Sequence, residues 1–370
     1  MKIALIYGGS STEHEISILS ALQMIKYFKE DEVILVYTSK ENRFYIGECL
    51  RDFDFYANVN LRLCKEVTFE KNYQDVYLKV KRAWNQKIMI DMAFPLMHGV
   101  SGEDGSIQGL LELLDLPYAQ SSLATCAIFM DKDLMRRMFQ VFQVPHNEVV
   151  VIHKDMILNN LSLLKEVPID KPWIVKPAKG GSSIGINCVY DDERMDRLIC
   201  ESFAFDNKLI VEKKLENVRE FNIAVIGNEH EQILSHIEEI HIDHDYYSYS
   251  DKYGGSLVKQ KPATRTCPAD LDKTLIQEIQ ELAKKSFIDF ECSGVVRFDF
   301  LYSDHLMMNE INIIPGSYSV YLFKGIITPH EMIEIMKRCA KEKYLKKMKE
   351  IREIDSFIFK RKWDVNLLKK

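Results

Sequence analysis

The sequence predicts an α/β protein whose first third is a parallel sheet and whose C-terminal part is α+β. Three observations predict it. Short apolar runs alternate with helical ones between Lys2 and Pro117, as in a parallel sheet with helices on its faces. Glycine-bearing segments, Gly8-Gly9 and His98–Gly109, follow two of those runs, where ligands sit in open α/β sheets. Near the other end, "VVRFDFLYSDHLMMNEIN" (Val295–Asn312) reads as an antiparallel hairpin with polar residues set inside an apolar run.

In chain order, "KIALIYGG" and "EVILVYTS" are strands, with a helix from about Ile16 to Tyr27 between them. "IMIDMAFPLMHG" is another strand; it leads into the glycine-rich loop and a helix, "LLELLDL", that stops before Pro117. A second segment opens on the helix "MDKDLMRRMFQVF" and continues through strands "HNEVVVI", "PWIVKPA" and "INCVY", with the loop "KGGSSIG" before the last. The third carries "LIVEKKL", "REFNIAVIG", a polar tyrosine-rich stretch from His241 to Thr266, a helix and the hairpin. The expected units are 1–121, 122–211 and 212–370.

The totals narrow the function. The chain has 370 residues, room for two or three domains. A net charge of −6 gives no reason to expect nucleic acid as a partner. The eight cysteines form no CxxC pair and read as packing residues of a reduced, cytoplasmic protein. No apolar run reaches membrane-spanning length, and Met1-Lys2 leads straight into a strand, so neither a membrane nor a leader is expected. The lysine-rich end from Lys337 to Lys370 reads as a solvated amphipathic helix rather than a binding arm.

Side chains alternate faces along a strand. Arg297 and Asp299 therefore share one face, as do Glu310 and Asn312, with Asn309 and Ile311 on the opposite one. A two-residue turn at Asp304-His305 would set Asp299 against Glu310 and Arg297 against Asn312. Facing carboxylates repel unless a cation lies between them, and their hard oxygens suit magnesium. A structural salt-bridge cluster on a half-exposed hairpin is the competing reading. The loop "VKPAKGGSSIG" can wrap N–H groups and hydroxyls around phosphate, or be a plain glycine-rich turn; it matches neither a Walker loop nor GxGxxG. Lys176, among apolar neighbours, calls for a fixed anion. Glu212 ends an apolar strand where a nucleoside could dock, or where a strand simply terminates in charge.

Taken in order, "GGSSTEHEIS", "HGVSGEDGSIQGLLELLDLPY", "MDK", "VKPAKGGSSIGI", "VEKKL", "DKY", "VRFDF" and "NEINIIPGS" closely resemble the D-alanine–D-alanine ligases, of the ATP-grasp fold. The likeness runs from about Ile3 to Lys324. It implies an N-terminal substrate domain and two domains that clasp ATP. It implies that Glu13 binds the ammonium of the first D-alanine, with His98 beside it. Lys132 and Lys176 would meet ATP phosphates. Glu212, Lys213, Leu215, Glu220 and Asn309 would line the nucleotide site, and Ser182 and Ser183 the covering loop. Ser182 would link Glu13 to Tyr253, which with Lys252 belongs to a closing lid. Asp299, Glu310 and Asn312 would hold two magnesium ions, with manganese as a substitute. Arg297 and the Gly316 N–H would stabilise an oxyanion. Tyr321 and Leu322 would serve the acceptor. The family is typically dimeric, so a homodimer is expected.

Three departures matter. Tyr118-Ala119-Gln120-Ser121 stands where the family has Y-T-G-S, Lys214 where an aromatic is common, and Tyr321 where a serine usually serves the acceptor's carboxylate. The tyrosine hydroxyl is expected to take over that task; the alternative is that Tyr321 packs inward and only the Leu322 backbone serves the acceptor. Related ligases using D-serine, D-lactate or another acceptor are the close alternative, although Lys252-Tyr253 favours an amino acid. A catalytically silent ATP-binding regulator is disfavoured because the metal and phosphate residues are all present. A nucleotide-dependent dehydrogenase is disfavoured because no GxGxxG follows the first strand.

Overall fold

The computed structural model describes residues 1–83, 86–241, 264–352 and 354. Lys252 and Tyr253, the two lid residues expected from sequence, lie outside them, as does most of the tail beyond Glu350.

The first unit is built on a seven-stranded sheet in the order β6-β5-β4-β3-β2-β1-β7. Its strands are β1 (Lys2–Gly8), β2 (Glu32–Thr38), β3 (Phe44–Ile46), β4 (Lys65–Asn72), β5 (Asp75–Val80), β6 (Lys87–Ile90) and β7 (Met92–Pro95). Only β2, β1 and β7 run parallel. The rest form an antiparallel meander, so the sheet is mixed rather than parallel. The run expected as one strand is broken at Asp91, whose carboxylate accepts from Lys2 N at 2.7 Å. Before the break β6 closes the meander; after it β7 pairs with β1. Helix α1 (His14–Met24) continues into a 3₁₀ turn to Tyr27, and α2 (Ser106–Leu113) starts four residues before the predicted "LLELLDL".

The helix expected from Met130 is α4 (Lys132–Val141), which starts two residues later, and a further helix, α3 (Leu123–Met130), precedes it. Asp131 separates them with extended backbone, and its carboxylate accepts from the N–H groups of Asp133 and Leu134, a capping arrangement that starts a new helix. Lys132 thereby becomes the first residue of α4. The second sheet, order β10-β9-β11-β8, is antiparallel. It comprises β8 (Val149–His153), β9 (Trp173–Pro177), β10 (Asn187–Val189) and β11 (Lys208–Lys213), with α5 (Lys154–Asn159) and α6 (Met195–Ser202). It encloses its own small core around Trp173, Val175, Ile199 and Val211.

The third sheet runs β15-β14-β12-β16-β17, with β13 paired to β12. Its members are β12 (Arg219–Gly227), β13 (Gln232–Leu234), β14 (Glu238–His241), β15 (Thr264–Thr266), β16 (Gly294–Tyr302) and β17 (Leu306–Asn312). Helices α7 (Lys273–Asp289) and α8 (Pro329–Met348) complete this unit. One face of the first sheet and the apolar face of the third share a single core: Leu5, Tyr7 and Phe94 belong to the same cluster as Phe221, Phe298 and Phe300. That shared core fixes the cleft to which all three units contribute.

Candidate active site

The hairpin β16–β17 is one wall of the cleft. Its ladder sets Arg297 against Asn312 and Asp299 against Glu310. The register then shifts: Phe300 pairs with Met308 and Tyr302 with Leu306. The turn is therefore three residues, Ser303–His305, and Asn309 is an extra residue in the ladder. Strict alternation would have turned Asn309 away from Glu310. The bulge re-aims it, and Asn309 lines the cleft with its Oδ1 3.5 Å from Lys176 Nζ.

Each carboxylate on this wall has a cation. Arg297 grips Asp299 through Nε at 2.7 Å and Nη2 at 2.8 Å, and Asn312 Nδ2 donates to Asp299 at 2.9 Å. Lys132, placed by the Asp131 cap, reaches Glu310 at 2.9 Å and donates to the Gly180 carbonyl at 2.5 Å. A magnesium ion fits this donor set: two hard carboxylates and an amide, with remaining positions for water and phosphate. Among the described residues no three His, Cys, Asp or Glu side chains gather into a metal site of their own.

Deeper in the cleft Glu212, 2% exposed, lies between two cations. Lys176 Nζ is 2.6 Å from Oε2 and Arg136 Nη2 is 2.7 Å from Oε1. Burial alone would raise the Glu212 pKa; the Lys176 and Arg136 charges overcome it and hold the group at about 2. Lys213, Leu215, Glu220 and Ser183 also line the cleft.

The opposite end is formed by the residue before α1 and the glycine loop after β9. Ser182 Oγ donates to Glu13 Oε1. A Cβ added to Gly181 would lie 2.3 Å from Glu13 Oε2, so glycine at 181 makes room for the Glu13 carboxylate. Ser182 and Ser183 hold left-handed φ values of 52° and 60°, a strain that clusters at functional sites. His98 is buried with Nε2 3.1 Å from Ser20 Oγ. Burial lowers its pKa, with the Glu13 charge opposing. Glu103 accepts from Gly99 N at 2.7 Å and Ile314 N at 3.2 Å. Burial and then the Glu13 charge push its pKa up to about 8 against those two donors.

After β17, Pro315 leads into Gly316, where an added Cβ would meet nothing within 4 Å. Ser317, Tyr318 and Ser319 follow with φ of 46–52°, one left-handed turn. It is pinned by Ser317 N to Ser20 Oγ at 3.1 Å and by Tyr318 Oη to the Pro95 carbonyl at 3.0 Å. Tyr321 is 44% exposed, but its hydroxyl end turns inward and donates to Glu238 Oε2 at 2.8 Å. The donor expected for an acceptor carboxylate is committed to a buried glutamate. Leu322 lies in the core, and its carbonyl accepts from His236 N at 3.0 Å, away from the cleft lining.

Sequence reasoning missed three residues of this cleft and its surround. Arg136 is four residues after Lys132 on one helix, so helical spacing puts both on one face. Glu103 sits inside the glycine-rich loop His98–Gly109, where the glycines and not the carboxylate carry the sequence signal. Glu238 carried no local signal.

A family model described as D-ala D-ala ligase N-terminus matches residues 2–121, and one described as D-ala D-ala ligase C-terminus matches residues 138–331. A D-alanine–D-alanine ligase of Thermosipho melanesiensis is 33% identical over 367 residues, covering 97% of this chain and 98% of the relative. One of Staphylococcus epidermidis is 30% identical over 365 residues, covering 95% and 98%. Among solved structures, a D-alanine–D-alanine ligase of Coxiella burnetii superposes with a TM-score of 0.80 at 25% identity, covering 94% of this chain and 96% of that one. A D-Ala:D-Ser ligase of Enterococcus faecalis superposes at 0.76 and 25% identity, covering 92% and 99%.

Proposed function

The chain belongs to the D-alanine–D-alanine ligase family, and from that premise we propose how its residues join two D-alanines at the expense of ATP, by way of a D-alanyl phosphate, for peptidoglycan synthesis. The units 1–121, 122–211 and 212–370 serve as the first-substrate domain and the two halves of the ATP clasp.

A carboxylate is a poor electrophile until phosphorylated, and ATP's charge must be neutralised while the carboxylate attacks. Lys132 and Lys176 serve the phosphates; in the structure their charges rest on Glu310 and Glu212. Glu212, Lys213, Leu215 and Glu220 receive the nucleoside. Asp299, Glu310 and Asn312 would hold magnesium, two ions, with manganese as a substitute; a bound divalent ion supplies charge neutralisation at the γ-phosphate. Glu13, held by Ser182, receives the ammonium of the first D-alanine. His98, with its pKa lowered by burial, stands beside that subsite as a neutral ring. Arg297 and the Gly316 N–H meet the oxyanion that forms when the second amine attacks. Lys252 and Tyr253 are assigned to a lid on sequence alone. The protein acts in the cytoplasm as a homodimer on small-molecule substrates.

One observation carries this reading. The hairpin carboxylates with their cations and the Glu13–Ser182 pair line one cleft, a phosphate-handling end and an ammonium-handling end together. The test is to incubate the protein with ATP, magnesium and a panel of D-alanine, D-serine and D-lactate, following ADP and identifying products by mass spectrometry. D-alanyl-D-alanine with stoichiometric ADP is the expected outcome. ADP release that is indifferent to D-alanine would overturn it.

A further inference from the structure

The ladders of the third sheet place side chains in rows across strands. Glu310 faces Asp299, Asp299 faces Asn222, and Asn222 faces Glu238. Paired residues project from the same face, so the polar row that begins at the hairpin continues across β12 to β14. The neighbouring row runs Leu301, Glu220, Ile240 and Arg265, and all four line the cleft. Arg265, on edge strand β15, therefore stands on the same face as the hairpin carboxylates, at the end of the cleft where Tyr321 lies.

Glu238 is 1% exposed, and a buried carboxylate must be paired. Its Oε2 accepts from Asn222 Nδ2 at 3.2 Å and Tyr321 Oη at 2.8 Å, and its Oε1 lies 3.8 Å from Arg265 Nη1. Burial raises the Tyr321 pKa; Arg297 opposes this and Glu238 adds to it, so the phenol keeps its proton and gives it to Glu238. What the phenol then turns toward a ligand is lone pairs, which repel a carboxylate. Arg297 already has Nε and Nη2 on Asp299. An acceptor amino acid bound at this end needs another cation for its carboxylate. The Arg265 side chain is 41% exposed, and Glu238 lies at ion-pair distance from it.

We propose that Arg265, oriented by the Glu238–Tyr321 pair, binds the α-carboxylate of the acceptor. Guanidinium and carboxylate match as a two-pronged pair. The assignment rests on the ligase reading above and deepens it: the acceptor class is one that carries an α-carboxylate, whether D-alanine, D-serine or D-lactate, and the tyrosine acts as a positioning residue.

The test compares wild type with Arg265→Gln, Arg265→Lys and Tyr321→Phe. Product formation is measured at saturating ATP, with D-alanine or D-alaninamide as acceptor, and folding is checked by thermal unfolding. Arg265→Gln should raise the acceptor KM by about ten- to hundredfold. The KM values for ATP and for the first D-alanine should stay within about twofold. Wild type should prefer D-alanine to D-alaninamide, and Arg265→Gln should abolish that preference, which a merely structural role would not do. Arg265→Lys should recover part of the loss, and Tyr321→Phe should cost less than Arg265→Gln. An unchanged acceptor KM in folded Arg265→Gln, or retained discrimination against the amide, overturns the proposal while leaving the ligase reading intact. Absence of any ligated product from wild type overturns both.

Discussion

At residue scale, Glu212 is a cleft carboxylate held by two cations, and its ionisation is tied to the stability of the fold. Its pKa of about 2 lies below the ordinary 4.5. The stability it lends is therefore complete above pH 4.5 and is lost as pH falls from 4.5 toward 2. Glu212→Gln leaves Arg136 buried beside a neutral amide, a loss of about 3–5 kcal/mol at pH 7. The gap between wild type and variant, measured by urea unfolding, should narrow by about 1 kcal/mol at pH 3.5; a constant gap would show that the ion pairs do not stabilise the fold. Glu310 behaves differently, because it is 31% exposed and its partner Lys132 also holds the Gly180 carbonyl. Glu310→Gln should cost less than about 1 kcal/mol of stability yet lower turnover by orders of magnitude. Near wild-type turnover at saturating ATP and magnesium would remove Glu310 from the metal site. The pairing of Asp299 with Glu310 was legible because it follows from period-two alternation. Glu238 and Arg265 were not legible, since their meeting depends on which distant strands become neighbours.

At the scale of elements, alternation correctly paired the two ends of the hairpin's polar patch and failed at Asn309. A bulge is a choice between two hydrogen-bond patterns that the residue types around it do not announce. Of the missed strands β3–β5, β4 and β5 carry mixed polar and apolar faces, because this meander is covered on both sides only in part. The left-handed turn after Gly316 is another element that composition hides, as serine and tyrosine rarely adopt it. Gly316 itself has no steric need to be glycine within the fold. Gly316→Ala should therefore unfold within about 0.5 kcal/mol of wild type. Its methyl would point into open cleft space, and turnover should fall by about tenfold or more if a reacting carbonyl approaches there. Urea unfolding and steady-state rates on one preparation separate the two effects; unchanged turnover would place the reacting carbonyl elsewhere.

At the scale of the whole molecule, the described part of the basic end, up to Met348, is more than a solvated helix. Along α8, Lys337 pairs with Asp31 at 2.9 Å, Lys343 donates to the Gln120 carbonyl at 2.7 Å and Lys347 to the Glu112 carbonyl at 3.0 Å. From the same helix Arg338 reaches Glu231 and Lys346 reaches Glu229. The helix thus splints the first unit to the third, which charge counting along the sequence cannot show because each partner is remote. Lys337→Met should leave the Asp31 carboxylate, whose side chain is 1% exposed, with the Met1 ammonium at 3.0 Å but without its second cation, and cost about 1–2 kcal/mol. Chemical denaturation would register that loss, whereas a purely solvated lysine would leave the midpoint unchanged.

The interlock of Gly181 with Glu13 bears on how such proteins can be recombined. A residue with a Cβ at 181 would collide with the carboxylate contributed from 168 positions earlier. The two sites cannot drift apart independently. A chimera taking residues 1–121 from one relative and the remainder from another should work only where the donated segment brings a side chain that the recipient's loop can seat. Its failures should be rescued by a compensating change at position 13 or 181 rather than by any improvement to either parent's core.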